Sequence, residues 1–241
     1  MQDSKIALVT GGNRGIGREV SRQLAAKGMT VLVGVRDEGR GEHAVDELQK
    51  YGDVRALLVD VTDSQSVAEA AKKVYADVGR LDVLINNAGV ITERTTTAAG
   101  ADVDQMRETF ETNILGVVRV TNAFLPLLLN APAPRMVNMS SFLGSLKLTA
   151  DASPDSQMPT LLGYATSKTA LNALTTQYAT ELRDKPIKIN SADPGYVSTD
   201  LNGHTGNRSV EEGAAIVVTL ATLDENGPSG GFFNDSGEVP W

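Results

Sequence analysis

The chain has 241 residues, 41% of them apolar and 22% charged, a balance that belongs to a folded globular domain and excludes a disordered chain. Its formal net charge of −8, with no run of Lys or Arg, speaks against nucleic acid or an anionic membrane as the main partner, and no uninterrupted apolar run reaches the ~20 residues of a membrane span. It has no cysteine, and its two histidines, His43 and His204, lack metal-ligand spacing, so we expect no disulfide and no bound metal. Met1 to Lys5 lack a signal-peptide layout, and a cytoplasmic location is the default expectation.

In chain order, short β-branched runs alternate with longer helical patterns. Strands are predicted over 5–10, 30–35, 54–59, 83–86, 135–139, 187–192 and 231–234. Helices are predicted over 15–27, 39–51, 64–78, 103–130, 163–183 and 210–223. Strict alternation implies an α/β fold: one Rossmann-type, doubly wound parallel sheet of about seven strands, helices on both faces, spanning residues 1–241 as a single domain. Ligands of such a sheet bind at the carboxyl ends of its strands. Two stretches that leave those ends, 145–162 and 195–209, break the alternation and are candidate substrate loops.

The first strand runs into Thr10-Gly11-Gly12-Asn13-Arg14-Gly15-Ile16-Gly17. Glycine at a strand-to-helix turn permits positive φ and lets backbone N–H groups approach a pyrophosphate at the helix N-terminus. The spacing is neither the common G-x-G-x-x-G nor a P-loop, and by itself it also describes a well-packed βα turn. Further on, Tyr164-Ala165-Thr166-Ser167-Lys168 opens a helix pattern, and positions i and i+4 share a helix face. A free phenol titrates near ~10, and an adjacent Lys cation would favour its ionised form and lower that value toward the range of a general acid/base. A Y-x-x-x-K spacing occurs by chance on many helices. Here it follows Val137-Asn138-Met139-Ser140-Ser141 at a strand end and Asn113 in the preceding helix pattern. Asp60-Val61 and the capping-box pair Thr62 and Gln65 follow the third strand, where Asp60 could be an ordinary residue near a helix start.

The turn T-G-x-x-x-G-I-G, the run Asn86-Asn87-Ala88-Gly89, the Ser141, Tyr164 and Lys168 series, and Pro194-Gly195-Tyr196-Val197-Ser198-Thr199 together resemble the short-chain dehydrogenase/reductase family, over nearly the whole chain. The resemblance implies a catalytic set of Asn113, Ser141, Tyr164 and Lys168; the residues that follow the second serine select Ser141 over Ser140. It also implies a cofactor site built from Gly11, Asn13, Arg14, Gly15, Ile16, Gly17, Arg36, Asp60, Val61, Asn87, Ala88, Gly89, Tyr164, Lys168, Pro194, Gly195, Val197 and Thr199. NAD-using members carry an acidic residue at the end of strand two. This chain has Gly34-Val35-Arg36, with Asp37 next and Arg14 in the turn, so the expected cofactor is NADPH/NADP, its extra phosphate held by guanidinium groups. As in relatives with the same Arg-Asp pair, Asp37 is expected to point away.

The expected activity is hydride transfer to the carbonyl of a small, mainly apolar ketone or aldehyde, with Tyr164 as general acid. Pocket walls are expected from 91–97, 142–162 and 196–207, including Leu143, Leu146, Leu148, Met158, Leu161, Leu162 and Tyr196. The 23-residue separation of Ser141 from Tyr164, the Val35-Arg36-Asp37 ending and the tail through Pro240-Trp241 resemble the monomeric carbonyl reductase branch, so a monomer is expected. Two alternatives stand beside this one: an NAD-dependent alcohol dehydrogenase, and a non-catalytic dinucleotide sensor on the same fold.

Overall fold

The computed structural model describes residues 4–93, 97–153 and 160–241. The apolar runs form the strands β1 (Ile6–Thr10), β2 (Thr30–Val35), β3 (Val54–Leu58), β4 (Val83–Asn86), β5 (Arg135–Met139), β6 (Lys188–Ala192) and β7 (Phe232–Asn234), and a two-residue β8 (Gly237–Glu238) closes a hairpin that the sequence reading missed. Their order across the sheet is β3-β2-β1-β4-β5-β6-β7-β8. All neighbours are parallel except β8, which returns antiparallel on β7. β1, β4 and β5 are buried at every residue, as expected of central strands covered on both faces. Helices α1 (Gly15–Ala26), α2 (Glu38–Leu48) and α8 (Val210–Ala221) pack on one face. α3 (Ser64–Val78), α5 (Val117–Leu129) and the end of α7 (Leu162–Glu181) pack on the other. Phe124 of α5 is fully buried there, and its truncation to Ala would cost about 3–5 kcal/mol. The strand order reverses between β1 and β4, which opens a crevice at their carboxyl ends.

Three local readings are corrected. The single helix predicted over 103–130 is α4 (Val103–Phe110), a π-helical turn over Glu111–Gly116, and α5. By length and composition Val103–Leu129 would suffice to cross a membrane, against the sequence expectation, but half of its most apolar window is buried, with Val120, Phe124, Leu127 and Leu128 in the core. At α3 the capping-box pair Thr62 and Gln65 does not form: Asp63 caps the helix by accepting from the Gln65 N–H (2.8 Å), while Asp60 accepts from the Thr62 N–H (2.9 Å) and hydroxyl (2.7 Å). The stretch expected as a loop from residue 145 begins with a short helix, α6 (Leu146–Ala150). Ser145 caps α6 and donates to the Pro240 carbonyl (2.6 Å), the Lys147 N–H donates to the Trp241 carbonyl (3.0 Å), and the Trp241 ring stacks on Phe232 at 5.6 Å. The tail therefore fastens this loop, a pairing of segments far apart in sequence.

Candidate active site

The Gly-rich turn joins β1 to α1 with Gly11 and Gly15 at φ +63° and +52°, in the left-handed region where a side chain is strained. A Cβ on Gly17 would collide with the Asn87 amide and lie 2.7 Å from the Gly11 carbonyl. The Asn87 side chain donates to the carbonyls of Thr10 (2.8 Å) and Gly11 (3.2 Å), and the Asn87 and Ala88 N–H groups donate to the Thr10 hydroxyl (3.0 Å each). The N-N-A-G run after β4 is thus laced onto the turn after β1 across the crevice. No side-chain hydrogen bond caps α1 and its first turn carries no acidic residue, so its N-terminal donors stay available to a phosphate.

Ser141 follows β5, and Tyr164 and Lys168 project from the first turns of α7. Tyr164 is 8% exposed and lines the same cleft as Ser141, whose Oγ accepts from the Leu143 N–H (3.3 Å). Ser140 is spent elsewhere, donating to Asn172 Oδ1 at 2.7 Å. Lys168 Nζ donates to the Met139 carbonyl (2.7 Å) and stands 5.4 Å from the centre of the Tyr164 ring. Gly144 allows this approach: a Cβ there would lie 2.8 Å from Lys168 Cβ. Asn113, in the π-helical turn, is fully buried one layer behind; its amide accepts from the Val90 N–H (2.9 Å) and donates to the Val90 carbonyl (3.0 Å) and to Ser167 Oγ (3.1 Å). Apart from Asn113, every residue of the catalytic and cofactor sets named from the sequence lines one continuous cleft of about 850 Å³. One end holds Arg36 and Asp60, the other Ser141 and Tyr164.

The family model described as short chain dehydrogenase matches residues 5–209. A (+)-neomenthol dehydrogenase from Capsicum annuum is 33% identical over 95% of each chain, and a salutaridine reductase from Papaver bracteatum is 31% identical over 98% of this chain and 95% of its own. The crystal structure of an NADPH-bound carbonyl reductase from chicken fatty liver superposes with a TM-score of 0.87 at 30% identity, covering 99% of both chains. This chain belongs to the short-chain dehydrogenase/reductase family.

Electrostatics in this dehydrogenase differ from the sequence expectation for the tyrosine. Burial raises the Tyr164 pKa above its usual value, the Asp193 carboxylate pushes the same way, and the hydrogen bond with Ser141 opposes both. The phenol therefore keeps its proton, the state in which a general acid begins. The expected lowering by Lys168 is offset because the same burial weakens the ammonium, whose pKa falls from the ordinary 10.5 to about 8.

Several residues of the site were not named from the sequence. Arg40, one turn into α2, lines the same end of the cleft as Arg36, and Asp37 caps α2 by accepting from the Arg40 N–H (2.9 Å). A second basic residue three positions into a helix after strand two was a readable signal. Arg14 pairs with Asp200 at 3.2 Å, and Asp200 also meets His204 at 2.9 Å, joining the Gly-rich turn to the loop after β6. Glu93 could not have been picked out. Its carboxylate accepts from the N–H groups of Gly163 and Tyr164 (3.0 Å for Tyr164), capping the helix that carries Tyr164 and Lys168 from 70 residues away in sequence. Of the expected pocket walls, Leu143, Leu161 and Tyr196 face the cleft, joined by Ile91, Phe142 and Leu201. Leu146 and Leu148 are exposed on α6, and Leu162 begins α7 without lining the cleft; Met158 lies outside the described residues.

Proposed function

We propose that this dehydrogenase reduces the carbonyl of a small, apolar ketone or aldehyde with NADPH, with Tyr164 as the general acid. The observation that carries the proposal is the buried Tyr164 phenol in one cleft with Ser141, with Lys168 Nζ 5.4 Å from its ring centre, while the other end of the cleft carries Arg36 and Arg40. The residues present fit the cofactor: the start of α1 has no side-chain cap and no acidic residue in its first turn, and Gly11, Gly15 and Gly17 line the cleft there. Bound NADPH would supply the hydride. The Ser141 and Tyr164 hydroxyls would donate hydrogen bonds to the substrate oxygen and favour the alkoxide charge that grows on it. Tyr164 would pass its proton to that oxygen, and the Lys168 cation beside the ring would lower the cost of the phenolate left behind.

Preference for NADPH rests on Arg36, Arg40 and Arg14 at the adenosine end and on the NADPH-bound chicken relative. The Arg14–Asp200 pair does not oppose it. Both side chains are more than half exposed, a setting in which an ion pair contributes about 0–1 kcal/mol, less than the roughly 1.5–3 kcal/mol of one hydrogen bond to a charged phosphate. The apolar wall of Ile91, Phe142, Leu143, Leu161 and Leu201 supports an apolar substrate body. A monomer in the cytoplasm belongs to the same reading; the fastening of α6 to the tail supports a loop that folds on its own chain.

The test is oxidation of NADPH and of NADH against a panel of aldehydes, ketones, quinones and steroids, with Tyr164→Phe alongside. Reduction should prefer NADPH, and the variant should lose a factor of about 10² or more while still binding NADPH. Near-normal turnover in Tyr164→Phe would sink the mechanism.

A further inference from the structure

The turn that carries Ser141 is stitched to α7 by side chains from one face of that helix. Tyr164, Lys168 and Asn172 follow one another at four-residue intervals, so they project on the same side. Lys168 Nζ donates to the carbonyl of Met139, the last residue of β5, at 2.7 Å. Asn172 meets the turn beyond it twice. Its Oδ1 accepts from the Ser140 hydroxyl at 2.7 Å, and its Nδ2 donates to the Gly144 carbonyl at 3.3 Å. The Thr169 hydroxyl reaches the same carbonyl at 3.1 Å. Ser141 sits between these pinned residues, and the Gly144 N–H closes the turn by donating to the Ser141 carbonyl at 2.8 Å. Asn172 and Ser140 are both buried. Asn is a weak residue for a helix interior, and an apolar side chain of its size would fill the space without desolvating an amide. Packing gives no reason for an amide here; its two bonds on either side of Ser141 do.

We propose that Asn172 is a positioning residue for Ser141: it ties the turn on both sides of Ser141 to the helix that carries Tyr164, so that the two hydroxyls meet one substrate oxygen together. The inference rests on the proposed roles of Ser141 and Tyr164. Those hydroxyls come from different elements, 23 residues apart in sequence. Their separation is only as constant as the contact between turn and helix, and a displacement of about 1 Å can cost up to about 10² in rate. Asn172 also distinguishes two adjacent serines that both line the cleft. It engages the Ser140 proton, while Ser141 Oγ accepts from the Leu143 N–H at 3.3 Å and keeps its own proton to donate toward the substrate.

The experiment is a double-mutant cycle on NADPH-dependent reduction of the best carbonyl substrate, with Asn172→Leu, Ser141→Ala and the two combined. Ser141→Ala alone should lower turnover by about 10² or more. With Ser141 present, Asn172→Leu should lower turnover about tenfold while the Michaelis constant for NADPH barely moves. With Ser141→Ala already in place, the same replacement should cost less than about twofold. A residue that serves the fold alone would cost the same factor in both backgrounds, and that result would overturn the proposal. Near-normal turnover in Ser141→Ala has a different meaning: it removes the role of Ser141 itself, and the inference with it. If Asn172→Leu does not fold, Ser140→Ala breaks the same 2.7 Å bond from the side of the turn. It should lower turnover when Ser141 is present and leave it unchanged in Ser141→Ala; equal effects in the two backgrounds, or none in either, would again overturn the proposal.

Discussion

Lys168 is a deeply buried charge, and its replacement has a pH signature. Burial lowers its pKa from 10.5 to about 8, a displacement equivalent to about 3 kcal/mol. Below pH 8 the ammonium is protonated in both the folded and the unfolded chain, and the folded chain carries the whole desolvation cost. Between about 8 and 10.5 the unfolded chain keeps the proton and the folded chain releases it, so wild-type stability rises with pH. Above 10.5 both are neutral and the cost is gone. Lys168→Met has no such slope. It leaves the Met139 carbonyl without its 2.7 Å donor, a loss of about 1–3 kcal/mol that hardly depends on pH. Near pH 7 the two effects nearly cancel, and the variant should be about as stable as wild type or slightly more so. By pH 10.5 it should have lost about 3 kcal/mol relative to wild type, roughly 6–12 °C in melting temperature for a domain of this size. Urea unfolding of both ligand-free proteins at matched pH values isolates the term, because titrating groups remote from Lys168 cancel in the difference and the neighbouring Tyr164 phenol, its pKa raised by burial, keeps its proton over this range. A stability difference that stays flat from pH 7 to 10.5 would refute the argument.

Arg36→Ala should raise the Michaelis constant for NADPH about tenfold or more and barely alter that for NADH, read from initial rates with each cofactor; equal loss of both cofactors would contradict the phosphate assignment. Glu93→Ala removes two charge-assisted hydrogen bonds from the first turn of α7, so the melting temperature should fall by several degrees and turnover by about tenfold with NADPH binding kept, whereas unchanged turnover would show that Tyr164 does not depend on this cap.

Much of the architecture could be read locally. Alternating β-branched and helical runs specify a parallel doubly wound sheet because a strand buried on both faces must be apolar throughout, as β1, β4 and β5 are. Glycines 11, 15 and 17 announce a turn that only small residues can make, and the spacing of Tyr164 and Lys168 places both on one helix face. The helix over 103–130 reads as uniform in sequence because one π-helical turn shifts the apolar stripe by only about one residue, too little to break a helical pattern of this length.

The sequence carried the chemical groups themselves: a glycine cradle, a hydroxyl at a strand end, a phenol and an amine one turn apart, and a guanidinium after strand two. The state of those groups was set by packing between distant segments. Desolvation depends on everything packed around a side chain, so the raised pKa of Tyr164 and the lowered pKa of Lys168 are absent from any local pattern. The partners that hold these segments reach across the chain: Glu93 to the start of α7 and Trp241 to the insert. A carboxylate that caps a helix 70 residues away looks in sequence like any surface Glu, because a hydrogen bond between distant segments leaves no periodicity behind it.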